Sequence, residues 1–406
     1  MRVKMTFAVL AMAVLALAVP ASSTARTVHV EAGESIQAAI DNAKPYTTIK
    51  IEEGTYTEAL QIDKDGIKLV GEGRKKTNLT PTGTIPECLF APAGICVWNA
   101  TDPEDVVKDV HISRLSVKGV ADGFGIFYFQ TKRGVVHRTL AADNGGYGIF
   151  VLGSKTTELS RNLTSGNGDA GLYVGGSENA DATVWGNVSY DNQLGIFIRD
   201  AAHGKVVDNK VFSNCAGIVF LNTDETAGPE PGPALPLKDW FAEGNTVTAN
   251  NKDCSGGEGP PISGIGILVL SGLDVTIVGN GVYGNKPATP GGPFPGGGIL
   301  VVTDTDFPGQ APTGNKVAFN TALGNDPDIL WDETGNDNRF FGNECLTSVP
   351  DGLCEDPGHG GHHGDDDDHH GGDRDHGDRH DKKSKKHKSS KHRKHKNKKH
   401  YKRHRD

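Results

Sequence analysis

The sequence predicts an all-β solenoid in which short strands stack coil upon coil. Seven Asn-x4-Asn pairs run through the second half of the chain, and Gly-Ile or Gly-Leu steps recur beside them. From Gly125 to Gly217 these steps are 22 to 24 residues apart. A fixed period of that size is typical of repeats that bury a shared core only by stacking. The Asn pairs are Asn162/Asn167, Asn187/Asn192, Asn209/Asn214, Asn245/Asn250, Asn280/Asn285, Asn315/Asn320 and Asn338/Asn343.

Each repeat contains three short apolar runs separated by turn residues. In one repeat the runs are 183–186, 187–190 and 195–198, and Val, Ile, Phe and Tyr dominate them. Runs this short favour strands over helices, and strand side chains alternate between two faces. We therefore expect pairs of inward-facing residues along the Gly-Ile strands. They are Ile126/Tyr128, Ile149/Val151, Leu172/Val174, Ile196/Ile198, Ile218/Phe220, Ile267/Val269 and Ile299/Val301.

The recurring asparagines are predicted to be structural. A coil that turns sharply between strands needs left-handed backbone, which Asn tolerates better than most residues other than Gly. Asn side chains stacked in register can also hydrogen-bond along their column. We therefore expect these residues to build the coil rather than to bind a ligand.

The start of the mature chain predicts a capping helix. Ser35 is a suitable N-cap, and Ile36, Ala39 and Ile40 share one face of the helix that follows. With the segments 28–40, 48–60 and 67–73 and the Asn repeats, the chain resembles the right-handed parallel β-helix proteins of the pectin-lyase-like superfamily, including the periplasmic copper-protein-maturation β-helices. The resemblance covers roughly residues 27–345 and implies about ten three-strand coils behind the helix.

Three segments are predicted along the chain. Residues 1–25 read as a secretory signal peptide, with Arg2 and Lys4 before an apolar run and small residues before the cleavage point; cleavage after Ala21 is the alternative. Residues 26–357 form the β-helix domain, and residues 358–406 form a tail that we expect to be disordered. The apolar run is too short for a membrane span, so the protein is expected to be secreted or at the cell surface.

Charge divides sharply between the body and the tail. Residues 27–357 hold 23 Lys and Arg against 42 Asp and Glu, whereas the tail holds 16 against 9. An acidic body disfavours strongly anionic substrates unless calcium or a local basic patch intervenes. The basic end of the tail is predicted to adsorb to an anionic polymer.

The tail also holds 12 of the 16 histidines. His-rich segments bind transition metals, and the alternative is a solvated tail with incidental metal affinity. The weak candidate ligands are His362, His363, His369 and His370.

Six cysteines fit an oxidising compartment and form three local pairs. The predicted disulfides are Cys88–Cys96, Cys215–Cys254 and Cys345–Cys354, out of 15 connectivities. Cys215 and Cys254 each precede the Gly-Ile strand of consecutive coils, which makes their pairing the best founded.

The resemblance places a substrate groove on the outer face of the Gly-Ile strands. The outward positions there are apolar, and aromatic side chains can stack on sugar rings. The alternative is that a loop or another subunit covers this stripe. The predicted substrate-binding residues are Phe127, Phe150, Tyr173, Phe197 and Trp240.

Gly- and Pro-rich insertions break the repeat at 223–243, 251–263, 286–297 and 303–314, and they are expected beside the groove. Asp224 and Asp304 are the predicted catalytic carboxylates, with Arg199 as a base or charge neutraliser. The carboxylates could alternatively hold calcium. The full motifs of polygalacturonases, pectate lyases and alginate epimerases are absent.

Two functions remain open from the sequence. The first is recognition of a polysaccharide in the groove, with cleavage of the lyase or glycoside hydrolase type if the protein is an enzyme. The second is a non-catalytic structural or adhesive role in the cell envelope, with a basic, metal-binding tail. Fold alone does not choose between them.

Overall fold

The computed structural model describes residues 26–223, 235–254, 262–288, 295–305 and 310–355. The predicted signal peptide and the tail lie outside these ranges. The described residues form one short helix and 33 strands, most of them three to seven residues long.

The helix α1 (Ile36–Asn42) covers the start of the coil stack. The Ser35 hydroxyl accepts a hydrogen bond from Ala38 N, as predicted for an N-cap, and Ile36 and Ile40 are buried. The Glu58 carboxylate accepts further hydrogen bonds from the backbone N–H groups of Ile36 and Gln37. Because α1 packs on the first strands, the end of the core is shielded from solvent.

Each coil passes through three parallel sheets in turn, and its strands pair in register with those of the next coil. Sheet A contains β1 (Arg26–Val30), β2 (Thr47–Ile51), β5 (Lys68–Gly71), β9 (His111–Ser113), β12 (Val135–His137), β15 (Glu158–Ser160), β18 (Ala182–Trp185), the end of β20 (Leu194–Val207), β23 (Lys238–Glu243), β26 (Thr276–Val278), β29 (Lys316–Ala318) and β32 (Arg339–Phe341).

Sheets B and C complete the coils. Sheet B contains β3 (Gly54–Tyr56), β6 (Thr77–Leu79), β10 (Ser116–Lys118), β13 (Leu140–Ala142), β16 (Leu163–Ser165), β19 (Val188–Tyr190), β21 (Lys210–Phe212), β24 (Thr246–Thr248), β27 (Gly281–Tyr283) and β30 (Thr321–Leu323). Sheet C, which holds the Gly-Ile strands, contains β4 (Leu60–Ile62), β8 (Ala91–Val97), β11 (Phe124–Phe129), β14 (Ile149–Leu152), β17 (Ala170–Ser177), the start of β20, β22 (Ala216–Leu221), β25 (Ile265–Leu270), β28 (Gly297–Val302), β31 (Ile329–Trp331) and β33 (Ser348–Val349). β7 (Glu87–Cys88) forms an antiparallel hairpin with β8.

The predicted parallel β-helix is confirmed, and the ten strands of sheet B match the predicted number of coils. All fourteen inward positions predicted for the Gly-Ile strands are buried in one continuous core. The strand alternation read from the sequence therefore gave the correct face of sheet C.

Two columns of buried Asn side chains close two corners of the coils. Asn209 is representative: its Oδ1 accepts from Asn187 N at 2.9 Å, and its Nδ2 donates to Asn245 Oδ1 at 2.9 Å. The predicted structural role of these residues is thereby confirmed. The column between sheets A and B is Asn162, Asn187, Asn209, Asn245, Asn280, Asn320 and Asn343, and the column between sheets B and C is Asn144, Asn167, Asn192, Asn214, Asn250, Asn285 and Asn325.

The left-handed residue at each bend is the one before the Asn, so the predicted backbone role of the Asn is wrong. Asp208 has a φ of 54° before Asn209, and Asp191 has a φ of 57° before Asn192. The preceding residue makes the turn, and this leaves the Asn amide free to point along the stack. Hydrogen bonding, rather than tolerance of left-handed backbone, explains the recurrence of Asn.

The last two Asn-x4-Asn pairs are offset by one corner. Asn315 stacks on Asn338 ahead of the sheet A strands, whereas Asn320 lies between Asn280 and Asn343 in the A–B column. Spacing alone therefore assigned the last coils to the wrong corner, although it gave the correct fold.

All three predicted disulfides are present. Their Cα–Cα distances are 5.7 Å for Cys88–Cys96, 6.1 Å for Cys215–Cys254 and 5.2 Å for Cys345–Cys354. The first ties the β7–β8 hairpin, and the second joins consecutive coils at the start of sheet C strands. The described residues include no helix with the length and apolar character needed to span a membrane.

Candidate functional site

A second apolar cluster covers the outward stripe of sheet C. The Phe90 ring, from the tip of the β7–β8 hairpin, lies 5.8, 5.9 and 6.2 Å from the rings of Phe124, Phe127 and Phe150. Tyr147 stacks on Phe150 with ring centroids 4.5 Å apart. Of the two alternatives left by the sequence, the covered stripe is therefore the one in the structure.

Two of the predicted sugar-stacking residues have no ring face exposed to solvent. Phe127 is fully buried, and Trp240 is 1% exposed. Trp240 points from β23 of sheet A into the coil interior, where its Nε1 donates to Ala201 O at 2.8 Å. The prediction for these two residues is wrong because both belong to packed cores. Phe150 and Tyr173 are also buried, and Phe197 retains 8% of its surface.

Beyond the covered aromatic stripe, a groove of about 610 Å³ continues along sheet C, and most of its floor side chains are buried. Its floor is apolar, and polar side chains stand at its two edges, an arrangement common in ligand-binding clefts. The floor residues are Leu194, Phe197, Ala216, Val219, Leu221, Ile265, Leu268 and Leu270, and the polar residues at the edges are Tyr147, Asp169, Gln193 and Arg199.

Asp169 is the carboxyl group of the groove. It lies in the bend between sheets B and C, immediately before β17, where its backbone N–H donates to Gly146 O at 3.2 Å. Burial raises the pKa of Asp169, while hydrogen bonds from Tyr147 and from Ala170 N and the charge of Arg199 act in the opposite direction. Burial likewise raises the pKa of the Tyr147 hydroxyl, so it remains protonated at neutral pH.

Arg199 stands on the other edge of the groove, on β20. Its Nε donates to the Asp200 carboxylate at 3.1 Å, and its side chain is 35% exposed. Asp200 also accepts from Thr223 N and Thr223 Oγ1, both at 2.7 Å, and is itself buried. Asp200 therefore ties one coil to the next, and Arg199 is left at the groove surface beside it.

The predicted catalytic residues are not gathered into one site. Asp304 is buried and follows β28, three sheet C strands after the strand that carries Arg199. That separation is about 14 Å along the stack. Asp224 lies outside the described residues. Of the two that the structure describes, Arg199 lines the groove described above and Asp304 does not.

Asp169 and Tyr147 are the groove residues that the sequence did not single out. The predicted catalytic residues follow Gly-Ile strands, whereas Asp169 and Tyr147 precede such strands. The available signal was position: Tyr147 directly precedes Gly148-Ile149, and Asp169 stands two residues before Gly171-Leu172.

No group of three His, Cys, Asp or Glu side chains suited to a metal ion occurs within the described ranges. The four histidines predicted as tail ligands lie outside them. Calcium in the groove and a transition metal in the tail remain predictions.

Comparisons with known proteins agree on the fold. Residues 83–227 match the family model of the right-handed β-helix region. The A-module of Azotobacter vinelandii mannuronan C-5 epimerase AlgE6 superposes with a TM-score of 0.53 at 17% identity, over 77% of this chain and 90% of that one. The AlgE4 A-module of the same organism gives 0.47 at 17%, over 77% and 92%. The periplasmic alginate epimerase AlgG gives 0.49 at 12%, over 79% and 84%.

The coils, the Asn columns and the family match define a right-handed parallel β-helix protein with the pectin-lyase-like fold. No curated protein matches the chain. The more detailed resemblance to copper-protein-maturation β-helices stays a prediction.

The raised pKa of Asp169 predicts how this residue affects stability with pH. A carboxyl group whose pKa is raised by folding stabilises the fold below its ordinary value of 3.8. That contribution is lost as pH rises through the raised pKa. Asp169→Asn removes the charged form, so we expect its stability relative to the parent to improve between pH 4 and pH 7, by about 1 kcal/mol or less.

Urea unfolding of the parent and Asp169→Asn across this pH range measures the effect. The exposed Asp122→Asn is the matched control and should follow the parent. A variant that loses stability on passing to neutral pH would contradict the assignment of Asp169 as a carboxyl group destabilised by burial.

Proposed function

We propose that the groove over sheet C binds a polysaccharide. The observation that carries the proposal is a cleft with an apolar floor, edged by Asp169 and Tyr147 on one side and Arg199 on the other. The C–H faces of sugar rings can pack on such a floor, while hydroxyl and carboxylate groups bond at the edges. The β-helix neighbour with the TM-score of 0.53 is named as a mannuronan epimerase, which supports a sugar polymer as ligand.

A uronic acid polymer is the ligand class that the edges favour. Arg199 offers a guanidinium group at the surface, and guanidinium binds carboxylates in a planar, two-pronged geometry. The hydrogen bond from Arg199 Nε to Asp200 fixes the orientation of this guanidinium.

Proton transfer on the bound sugar is the second candidate function, and one observation favours it. Asp169 is a carboxyl group of raised pKa that is hydrogen-bonded to Tyr147, in the same groove as Arg199. Arg199 would pair with the sugar carboxylate, which makes the C5 proton more acidic. Asp169 would take that proton and Tyr147 would donate one to the leaving O4, so that the C4–O bond breaks and a C4–C5 double bond forms.

Binding and turnover can be measured separately with a panel of polymannuronate, polygalacturonate and a neutral glucan. Calorimetry should show binding to a uronate and weaker binding to the glucan. Arg199→Ala should weaken uronate binding about 10- to 100-fold, because a hydrogen bond to a charged group contributes about 1.5–3 kcal/mol. Asp169→Asn should leave binding within a few-fold and abolish any unsaturated product.

Two controls and two outcomes decide between the candidates. Lys50→Ala removes an exposed cation on sheet A, away from the groove, and Asp122→Asn removes an exposed carboxylate; neither should change binding. Binding without new products would leave a recognition module and support the adhesive alternative. No binding to any polymer, or equal binding by the parent and Arg199→Ala, would contradict the groove as a polysaccharide site.

The location of the protein is part of the proposal. Three disulfides are consistent with an oxidising compartment. We therefore place its function outside the cell or at the cell surface, where such polymers occur. The predicted adsorption of the tail and its predicted metal binding extend this proposal and are tested by deleting residues 358–406.

A further inference from the structure

A column of arginines stands on the corner between sheets A and B, away from the groove. Arg114, Arg138 and Arg161 occupy the same bend position in three consecutive coils. Their backbone N–H groups donate to His137 O, Ser160 O and Trp185 O of the next coil. All three side chains are exposed, and with Arg74 they line one depression of about 370 Å³.

This column lies on the basic part of an acidic body. Residues 68–161 hold 12 Lys and Arg against 9 Asp and Glu, whereas residues 162–357 hold 8 against 25. Among the described residues, no acidic side chain lies within 4.0 Å of the Arg138 or Arg161 guanidinium. Glu158, which faces the column, is held by Ser160 Oγ at 2.6 Å and Trp185 Nε1 at 3.2 Å.

The backbone at these positions is unfavourable for arginine. The φ angles of Arg114, Arg138 and Arg161 are 58°, 52° and 54°, in the left-handed region. That conformation costs an L-residue other than Gly, Asn or Asp roughly 1–2 kcal/mol. Most later coils place residues suited to it at the same bend, namely Gly186, Asp208, Gly244, Gly279 and Gly342, and one coil places Phe319 there. The Arg114 guanidinium donates to Gly71 O at 3.3 Å and to Glu72 O at 2.9 Å, which is a structural role. Arg138 and Arg161 make no such hydrogen bond to the described residues, which indicates a function for their side chains.

We infer that this arginine column binds an acidic polysaccharide at a site separate from the groove. The cations repeat once per coil, about 4.8 Å apart, which is close to the length of one pyranose residue in an extended chain. Trp185 extends the row by one coil, with the Arg161 guanidinium 4.7 Å from its ring centroid. An Arg–Trp surface of this kind suits a chain that presents one carboxylate per ring.

A nucleic acid fits this row less well. One strand of a duplex carries its phosphates about 3.4 Å apart along the axis, so they would not stay in step with the coils. Disulfides also favour an oxidising compartment, where extracellular polysaccharide is the more common polyanion. The acidic polysaccharide is therefore the occupant that the column supports.

The test replaces Arg138 and Arg161 by glycine in the full chain. Binding to polygalacturonate should weaken about tenfold or more, while dextran binding stays unchanged. Stability should hold or rise, because Gly relieves the backbone cost at both bends. An arginine with only a structural role would instead lower the unfolding temperature. Lysine at both positions should recover part of the binding, since it restores the charge without the planar fork.

Controls separate this site from the groove and from the basic tail. The charge-matched pair Lys44→Ala and Lys205→Ala lies outside the column and the groove and should retain binding. The tail is the same in all variants, so it cannot produce a difference between them. The Arg138/Arg161 effect should persist in an Arg199→Ala background, which distinguishes failure of the column from failure of the groove.

Three results would overturn the inference. The first is no polygalacturonate binding by the parent, and the second is equal binding by the parent and the double glycine variant. The third is a loss of single-stranded oligothymidylate binding larger than the loss for polygalacturonate, which would make the column a nucleic-acid site.

Discussion

Asn209→Ala is expected to destabilise the coil stack by about 3–5 kcal/mol. The Asn209 amide makes four hydrogen bonds: it accepts from Asn187 N and Asn187 Nδ2 and donates to Val184 O and Asn245 Oδ1, all at 2.9 Å or less. Alanine leaves these partners buried without replacement, since the site is closed to solvent. Each unsatisfied buried group costs about 1–3 kcal/mol.

Urea unfolding followed by circular dichroism measures the change. Asn42→Ala is the matched control, because its side chain makes a single exposed hydrogen bond to Ala38 O and should cost about 1 kcal/mol or less. If Asn209→Ala costs no more than Asn42→Ala, the column does not stabilise the stack as its geometry indicates.

Trp240→Ala is expected to lower the free energy of unfolding by about 3–5 kcal/mol, which is the range for removing an aromatic side chain from a core. The Trp240 ring packs directly against Gly204, where an added Cβ would clash with the indole. Its loss also leaves Ala201 O without the Nε1 donor. Polysaccharide affinity per folded molecule should not change, because the residue does not face the groove.

Thermal unfolding and calorimetry of the same samples check both halves of this expectation. Phe319→Ala, which truncates a ring that is 60% exposed, is the control and should have a small effect on stability. If correctly folded Trp240→Ala binds uronate more weakly than the parent, Trp240 contacts the ligand, as the sequence predicted.

The fold was predictable because its cause is periodic. The alternation along the Gly-Ile strands and the Asn spacing both reflect the coil, so they gave the inward residues, the number of coils and the disulfide pairs correctly. The last Asn pairs failed because the same four-residue spacing occurs at two corners. Only hydrogen-bond partners distinguish Asn315 from Asn280.

The site was less predictable because it depends on what covers a surface. Phe90 belongs to a hairpin outside the repeat, and nothing in the repeat pattern places it over Phe127 and Phe150. Trp240 fell inside the predicted insertion 223–243, whereas residues 238–243 form β23, where Trp240 pairs with Gly204. Arg199 was found because it belongs to the repeat register itself.

The corner between sheets A and B has a consequence for how this protein can vary. From β9 to β29, two residues join the strands at that corner in every coil, whereas the predicted insertions fall at the two ends of sheet C. The groove can therefore be resized by loop changes that leave the core untouched. The arginine column cannot be respaced in this way, because its interval is the pitch of the coil. The size of the groove can thus change through its loops, whereas the spacing of the arginines is fixed by the coil.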